Sequence, residues 1–203
     1  MTNKPTIIYL VRHGESEANV AGLISGQIDP PLTERGHSQA HDAKHKLENV
    51  NFDVAYSSDL QRAVRTAETV YGKPIHKSKQ LSTLRERSFG SLEGKLEKHI
   101  GNYYEVKLNL PKDESLAYKH VVDMESDQDV GERMFNELSK IAKKHSGQTV
   151  LIGNHGTAMR IVLQTVLNKH PKEVWPQKFI NGGYIKLSYA ENRFVIEEVY
   201  GYN

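Results

Sequence analysis

Short apolar runs alternate along this chain with longer stretches of helical period, and glycine or polar residues mark most of the changes. Residues 6–11 (TIIYLV), 52–57 (FDVAYS) and 149–154 (TVLIGN) have the length and content of strands buried on both faces of a parallel sheet. Residues 33–47, 59–70, 129–143 and 157–167 carry apolar positions at helical spacing. Residues 183–189 and 194–200 read as two strands around a turn at Glu191-Asn192, one of them a candidate antiparallel edge. The alternation predicts an α/β fold of three layers, a mostly parallel central sheet with helices on both faces. Residues 94–125 break the rhythm, being mixed, lysine-rich and tyrosine-containing around Pro111. They read as a short insertion or lid near the site. At 203 residues the chain suits one domain, spanning 1–203, with a sizeable core.

Chemistry gathers where the apolar runs stop, which is where open α/β sheets bind their ligands. The first run ends in Arg12, His13 and Gly14, and the third in His155 and Gly156. After the second, Ser58 and Gln61 have capping-box spacing, which would put Arg62 in the first turn of a helix, where unpaired amides and the helix dipole favour an anion. If the three strands are parallel neighbours, Arg12, His13, Arg62 and His155 converge on one pocket. Two guanidinium forks and two imidazoles suit a phosphate monoester better than other ligands. A neutral imidazole can attack phosphorus, and His13, held in a tight turn between Arg12 and Gly14, is the better nucleophile. His155, if protonated, could stabilise the equatorial oxygens. A proton donor for the leaving alkoxide is also needed. Glu86, in the glycine-punctuated segment 84–95 (LRERSFGSLEGK), is the choice, because a facing phosphate dianion would raise its pKa. Arg85 and Arg87 would lower it again unless they point elsewhere or at other substrate anions.

Composition narrows the partners. Lys and Arg total 27 against 25 Asp and Glu, a net charge of +2, so no large basic face for nucleic acid is implied. The absence of cysteine removes thiol catalysis and cysteine-rich zinc sites. No apolar run is long enough to span a membrane, and MTNKPTIIYLV is too short for a signal peptide, so a cytoplasmic protein without a membrane partner is expected. Neither a phosphate-loop Gly-Lys-Ser/Thr signature nor a Gly-x-Ser-x-Gly elbow occurs. His37, His41 and His45 recur every fourth residue on a polar helix, which reads as a solvated stripe and not a metal site. Tyr103, Tyr104 and Tyr118 with Lys98, Lys107 and Lys112 could form a substrate lid, although nearby acids nearly cancel the charge.

Taken together, RHGES with Asn19, the segment holding Gly26, Asp29, PLTERG and Gln39-Ala40, then SSDLQRAVRTAE, LRERSFGSLEG and GNHGT resemble, in order, the signatures of the histidine phosphatase superfamily. This is the phosphoglycerate mutase-like fold, and the resemblance covers almost the whole chain. It implies His13 as the phosphorylated nucleophile, Arg12, Arg62 and His155 as phosphate ligands, Glu86 as the acid, and no metal or cofactor. Asn19 and Gln27 match positions that often face substrate. Glu86-Arg87 followed by Phe89 and Gly90 is similar to mutases and fructose-2,6-bisphosphatase-like enzymes, whose substrates carry a second anion. That similarity implies Arg87 as a further substrate-binding residue. The proline and glycines usual before a Glu-Ser pair are missing ahead of Glu125-Ser126, and 94–123 does not resemble the longer insertion of cofactor-dependent mutases. The expectation is a metal-independent phosphatase acting on a small phosphorylated metabolite through a phosphohistidine. A phosphoglycerate mutase and a phospho-ligand binding module with little turnover are the alternatives. A homodimer is compatible with the pattern but not indicated by it.

Overall fold

The computed structural model describes residues 4–203; Met1, Thr2 and Asn3 of the expected domain span lie outside the described residues. Its strands are β1 (Thr6–Arg12), β2 (Val54–Ser58), β3 (Gln80–Leu81), β4 (Thr149–Asn154), β5 (Phe179–Ala190) and β6 (Arg193–Tyr202). Among the described residues they form one six-stranded sheet in the order β3-β2-β4-β1-β5-β6. The first four strands are parallel, β5 runs antiparallel to β1, and β6 returns antiparallel to β5. The only strand that runs against the others among the described residues is therefore β5, inside the sheet, while β6 closes one edge. Their turn is at Glu191 and Asn192, both with positive φ, as a tight hairpin requires.

The helices are α1 (Glu17–Val20), α2 (Glu34–Lys46), α3 (Gln61–Tyr71), α4 (Tyr103–Asn109), α5 (Lys112–Ala117), α6 (Asp127–Lys144), α7 (Gly156–Val166) and α8 (Pro171–Val174). Period-two alternation divides the apolar strands between two cores. Ile8, Leu10, Val150 and Ile152 pack with α6 and α7 on one face, and Tyr9, Val11, Leu151 and Ala55 pack with α2 and α3 on the other. Burial of each such aliphatic side chain contributes about 1.5–3 kcal/mol. This explains why the strands read as continuous apolar runs.

Helix starts follow local chemistry. Thr33 caps α2 by accepting from the Gly36 amide, and Ser126 and Asp129 form a reciprocal capping box that starts α6 two residues before the predicted position 129. The expected Ser58–Gln61 box does not form. Leu60 occupies the N-cap of α3, Ser58 Oγ accepts from the Leu60 amide, and the Gln61 amide donates to Asp29 Oδ2 at 2.7 Å. A distant loop thus supplies the cap that the local sequence suggested.

The segment 94–125 holds α4 and α5. Pro111 stands at the N-cap of α5, so it separates two helices and breaks neither. Tyr103 is fully buried with Ile24, Phe89, Leu92 and Met124 in a third apolar cluster, which fastens the insertion to the loops beyond the sheet. Among the described residues no helix is long and apolar enough to cross a membrane.

Candidate active site

Because β1, β4 and β2 are parallel neighbours, their carboxyl ends bring Arg12, His13, His155 and Arg62 together. Arg12 is in register with Asn154, and the His13 amide donates to the Asn154 carbonyl at 3.0 Å. The turn after β1 is tight because Gly14 passes close under α2. A Cβ on Gly14 would stand 2.1 Å from the Gly36 carbonyl oxygen. Gly156 serves Arg12 in the same way, since a Cβ there would meet Arg12 Nε at 3.0 Å.

His13 Nδ1 is 2.6 Å from the Gly14 carbonyl oxygen. A carbonyl only accepts, so Nδ1 carries the hydrogen and, in a neutral ring, Nε2 holds the lone pair. Burial, and then the charges of Arg62 and Arg12, hold the His13 pKa well below the ordinary imidazole value. Asn181 Nδ2 donates to the His13 carbonyl at 3.0 Å and fixes the backbone from the hairpin side. His13 is thereby a neutral, oriented base.

His155 lies behind it, fully buried, with ring centroids 5.2 Å apart. Burial first, and then Arg62 and His13, hold its pKa well below the ordinary value too. That direction runs against the protonated His155 invoked above for the equatorial oxygens, and a neutral ring donates through one nitrogen. Among the described residues neither of its ring nitrogens has a hydrogen-bond partner, nor do the buried Nε atoms of Arg12 and Arg62. Buried polar atoms are rarely left so. Their clustering here points to an anionic ligand.

Arg62 is held rigidly: Nη1 donates to the Ile28 carbonyl at 2.6 Å, Nη2 to the Gly26 carbonyl at 2.8 Å, and Asp29 pairs with it at 3.4 Å. Arg12 Nη1 donates to the Phe179 carbonyl. Burial lowers the pKa of both, that of Arg12 to about 10, a value still far above neutrality. Glu86 Oε1 accepts from the Arg87 and Ala158 amides, both at 2.8 Å, and Oε2 accepts from the Thr157 amide at 2.9 Å. The first turn of α7 thus grips the carboxyl, and Oε2 keeps the spare acceptor position.

These groups open on a cavity of about 620 Å³, lined near its base by Arg12, His13, Asn19, Arg62, Glu86 and Thr157. Its outer wall is largely apolar, with Ile24, Ile100, Tyr104, Leu108, Trp175 and Phe179. Asn19 therefore reaches the cavity, although its Oδ1 also accepts from the Ser16 amide. Gln27 does not line it: its side chain donates to the Glu86 carbonyl and accepts from Arg85, which places it behind the loop.

Arg87 is not at the cavity surface either, in contrast to the role the sequence suggested. It is fully buried, pairs with Asp127 at 3.0 Å and donates through Nε to the Glu125 carbonyl at 2.7 Å. Lys107 meets the same carboxylate at 2.5 Å. Burial pulls the Lys107 amine down to about 7 in spite of Asp127, with Arg87 adding to the fall. Arg85 also turns away, bidentate to Asp59 at 2.7 Å. The tyrosine and lysine lid is therefore only partly realised. Tyr104 reaches the cavity, whereas Tyr103 is buried and Lys112 donates to Asn168. Asp127→Ala should strand two buried cations and lower stability by about 3 kcal/mol, read as a shifted urea midpoint; an unchanged midpoint would show the pair to be dispensable.

Sequence reasoning missed Trp175, Phe179 and Arg160 in the cavity wall. Only Arg160 left a signal, a charged residue in the otherwise apolar run TAMRIVL one turn after Gly156. Among the described residues no three His, Asp, Glu or Cys side chains are grouped to hold a metal ion, and His37, His41 and His45 lie exposed on α2.

Comparison with known proteins places the family. The profile of the histidine phosphatase superfamily (branch 1) matches residues 8–200. A 2,3-bisphosphoglycerate-dependent phosphoglycerate mutase from Bartonella tribocorum is 32% identical over 197 residues, covering 91% of this chain and 92% of its own. Bacillus stearothermophilus YhfR superposes with a TM-score of 0.80 at 29% identity, over 95% of each chain. A phosphoserine phosphatase mutant from Entamoeba histolytica, in complex with phosphoserine, gives a TM-score of 0.81 at 24% identity over 96% of each chain. With nearly its full length matched and the signature residues of its motifs gathered in one cavity, the chain belongs to the histidine phosphatase superfamily.

Proposed function

We propose that the protein is a phosphomonoesterase that releases phosphate from a small phosphorylated metabolite through a phosphohistidine on His13. The observation that supports it most is the His13 ring: neutral, with Nδ1 committed to the Gly14 carbonyl and Nε2 left as nucleophile beside two arginines. Nε2 attacks phosphorus as the bond from phosphorus to the ester oxygen breaks. Arg12, Arg62 and one N–H of His155 hold the equatorial oxygens, where charge shifts in the transition state. A proton carried on Glu86 Oε2 passes to the leaving alkoxide. The resulting carboxylate then takes a proton from water, whose oxygen attacks the phosphohistidine; phosphate leaves and His13 is regenerated. These steps use protein side chains alone.

Hydrolysis is favoured over mutase action by the outer wall. A mutase must hold a three-carbon substrate by both ends in two orientations. Here the insertion offers the cavity Ile100, Tyr104 and Leu108, while Arg87 and Lys107 are turned into Asp127. The cavity is also far larger than such a substrate. The mutase remains the second reading because relatives at 32% identity carry that name. Two assays on the same preparation separate them: phosphate release from p-nitrophenyl phosphate in excess chelator, and a coupled phosphoglycerate mutase assay with 2,3-bisphosphoglycerate. Release without isomerisation is expected. Isomerisation that outruns release would overturn the phosphatase reading.

A further inference from the structure

Every main-chain hydrogen-bonding group of His13 and Gly14 is engaged, each by a different partner. The His13 amide donates to the Asn154 carbonyl of β4, and the His13 carbonyl accepts from Asn181 of β5, both at 3.0 Å. The Gly14 carbonyl accepts from His13 Nδ1 at 2.6 Å, and the Gly14 amide donates to Thr66 Oγ1 of α3 at 3.0 Å. Thr66 is completely buried, and the phosphoryl-transfer steps make no use of it.

A hydroxyl has a single hydrogen, and Thr66 gives it to the Arg62 carbonyl one turn back in α3, at 2.9 Å. One oxygen atom therefore ties the turn that carries the nucleophile to the residue that carries a phosphate guanidinium. The tie matters because a Cβ at position 14 would strike the Gly36 carbonyl oxygen, so the turn needs glycine. Glycine has the freest backbone of any residue, and nothing intrinsic to it holds its carbonyl on the imidazole. Asn181 and Thr66 grip opposite edges of one peptide plane, the one between His13 and Gly14. Asn181 alone would leave that plane free to swing about a single hydrogen bond; Thr66 supplies the second point. Gln39 accepts from the Glu15 amide at 2.7 Å and steadies the next plane.

We propose that Thr66 is a positioning residue acting through this peptide: it keeps the Gly14 carbonyl on His13 Nδ1, so that the lone pair stays on Nε2 beside Arg62. Its effect on rate rests on the phosphomonoesterase reading, whereas its effect on the ring is a property of the free protein. Without the Thr66 oxygen a buried amide has no acceptor, and the plane turns to find one. The Gly14 carbonyl then leaves Nδ1, and the hydrogen divides between the two ring nitrogens. A neutral ring with its hydrogen on Nε2 has no lone pair there to attack phosphorus.

Thr66→Val keeps the shape and removes the hydroxyl, and Thr66→Ser keeps the hydroxyl and removes a methyl. Two kinds of measurement test the role. The first sets kcat/KM for p-nitrophenyl phosphate, which reports phosphoryl transfer to His13, beside calorimetric affinity for inorganic phosphate, which reports Arg12 and Arg62. The second is nitrogen NMR of free protein labelled in its histidine rings, with the His13 signals identified by their loss in His13→Ala; it reads which ring nitrogen carries the hydrogen. Thr66→Val should lower kcat/KM by about 10- to 100-fold, change phosphate affinity by less than about threefold and mix the His13 tautomers. Thr66→Ser should keep both the rate and the single tautomer. If Thr66→Val does not fold, Thr66→Ala carries the same measurements. A valine variant with its rate within about threefold of the original, a His13 ring still holding its hydrogen on Nδ1 alone, or equal losses of rate and phosphate affinity in both variants would overturn the positioning role. No turnover by the unmodified protein would overturn the phosphatase reading alone, because the ring spectrum still decides the role of Thr66.

Discussion

Replacing His13 by alanine is expected to lower kcat for phosphate-monoester hydrolysis by about 10⁴-fold or more. The reason is the lack of a substitute. His155 is the other imidazole in the site, but it is completely buried beside His13 and is assigned to hold an equatorial oxygen through an N–H, not to attack phosphorus. Glu86 is gripped by three backbone amides, which fix it as a proton carrier at the base of the cavity. The variant keeps Arg12 and Arg62, so it should still bind inorganic phosphate, and this separates loss of chemistry from loss of the pocket. Steady-state kinetics and phosphate binding by calorimetry provide the two readouts. Activity within tenfold of the original would remove His13 from the nucleophile role.

Glu86→Gln should slow alkyl phosphates by about 10²- to 10⁴-fold and slow p-nitrophenyl phosphate far less. Alkoxides need the proton and nitrophenolate does not. The amide also disturbs the grip of α7. One oxygen can still accept from Arg87 and Ala158, but the NH₂ then faces the Thr157 amide, donor against donor. A purely positional disturbance would lower both substrate classes equally, so the ratio between them is the diagnostic quantity. Equal losses would take the acid role from Glu86.

The legible part of this protein is the part set by local pattern. Strands β1 and β4 are apolar on both faces and end in residues that cannot be buried idly, and α2 is announced by Thr33, so elements and pocket could both be placed from sequence. Neighbouring residues in irregular loops were the difficulty. Glu86 and Arg87 are adjacent, yet one faces the cavity and the other is buried in a pair with Asp127, 40 residues away in the chain. Only tertiary packing decides which side each takes. Helices α4 and α5 were hidden for a related reason: they are short, they meet at Pro111, and their shape depends on Tyr103 entering the cluster with Ile24 and Met124. Arg160 was obscured because a cation on an apolar helix commonly reaches solvent past its neighbours, and nothing local reveals that Trp175 will cover it.

The central claim is that phosphate passes through His13, and one measurement addresses it directly. The unmodified protein is mixed with an aryl phosphate, quenched within milliseconds under alkaline conditions, digested and analysed by mass spectrometry. The account predicts a phosphate on the peptide containing His13, stable to base and lost in acid. Rapid hydrolysis with that peptide unmodified throughout, or with phosphate on another residue, would contradict it.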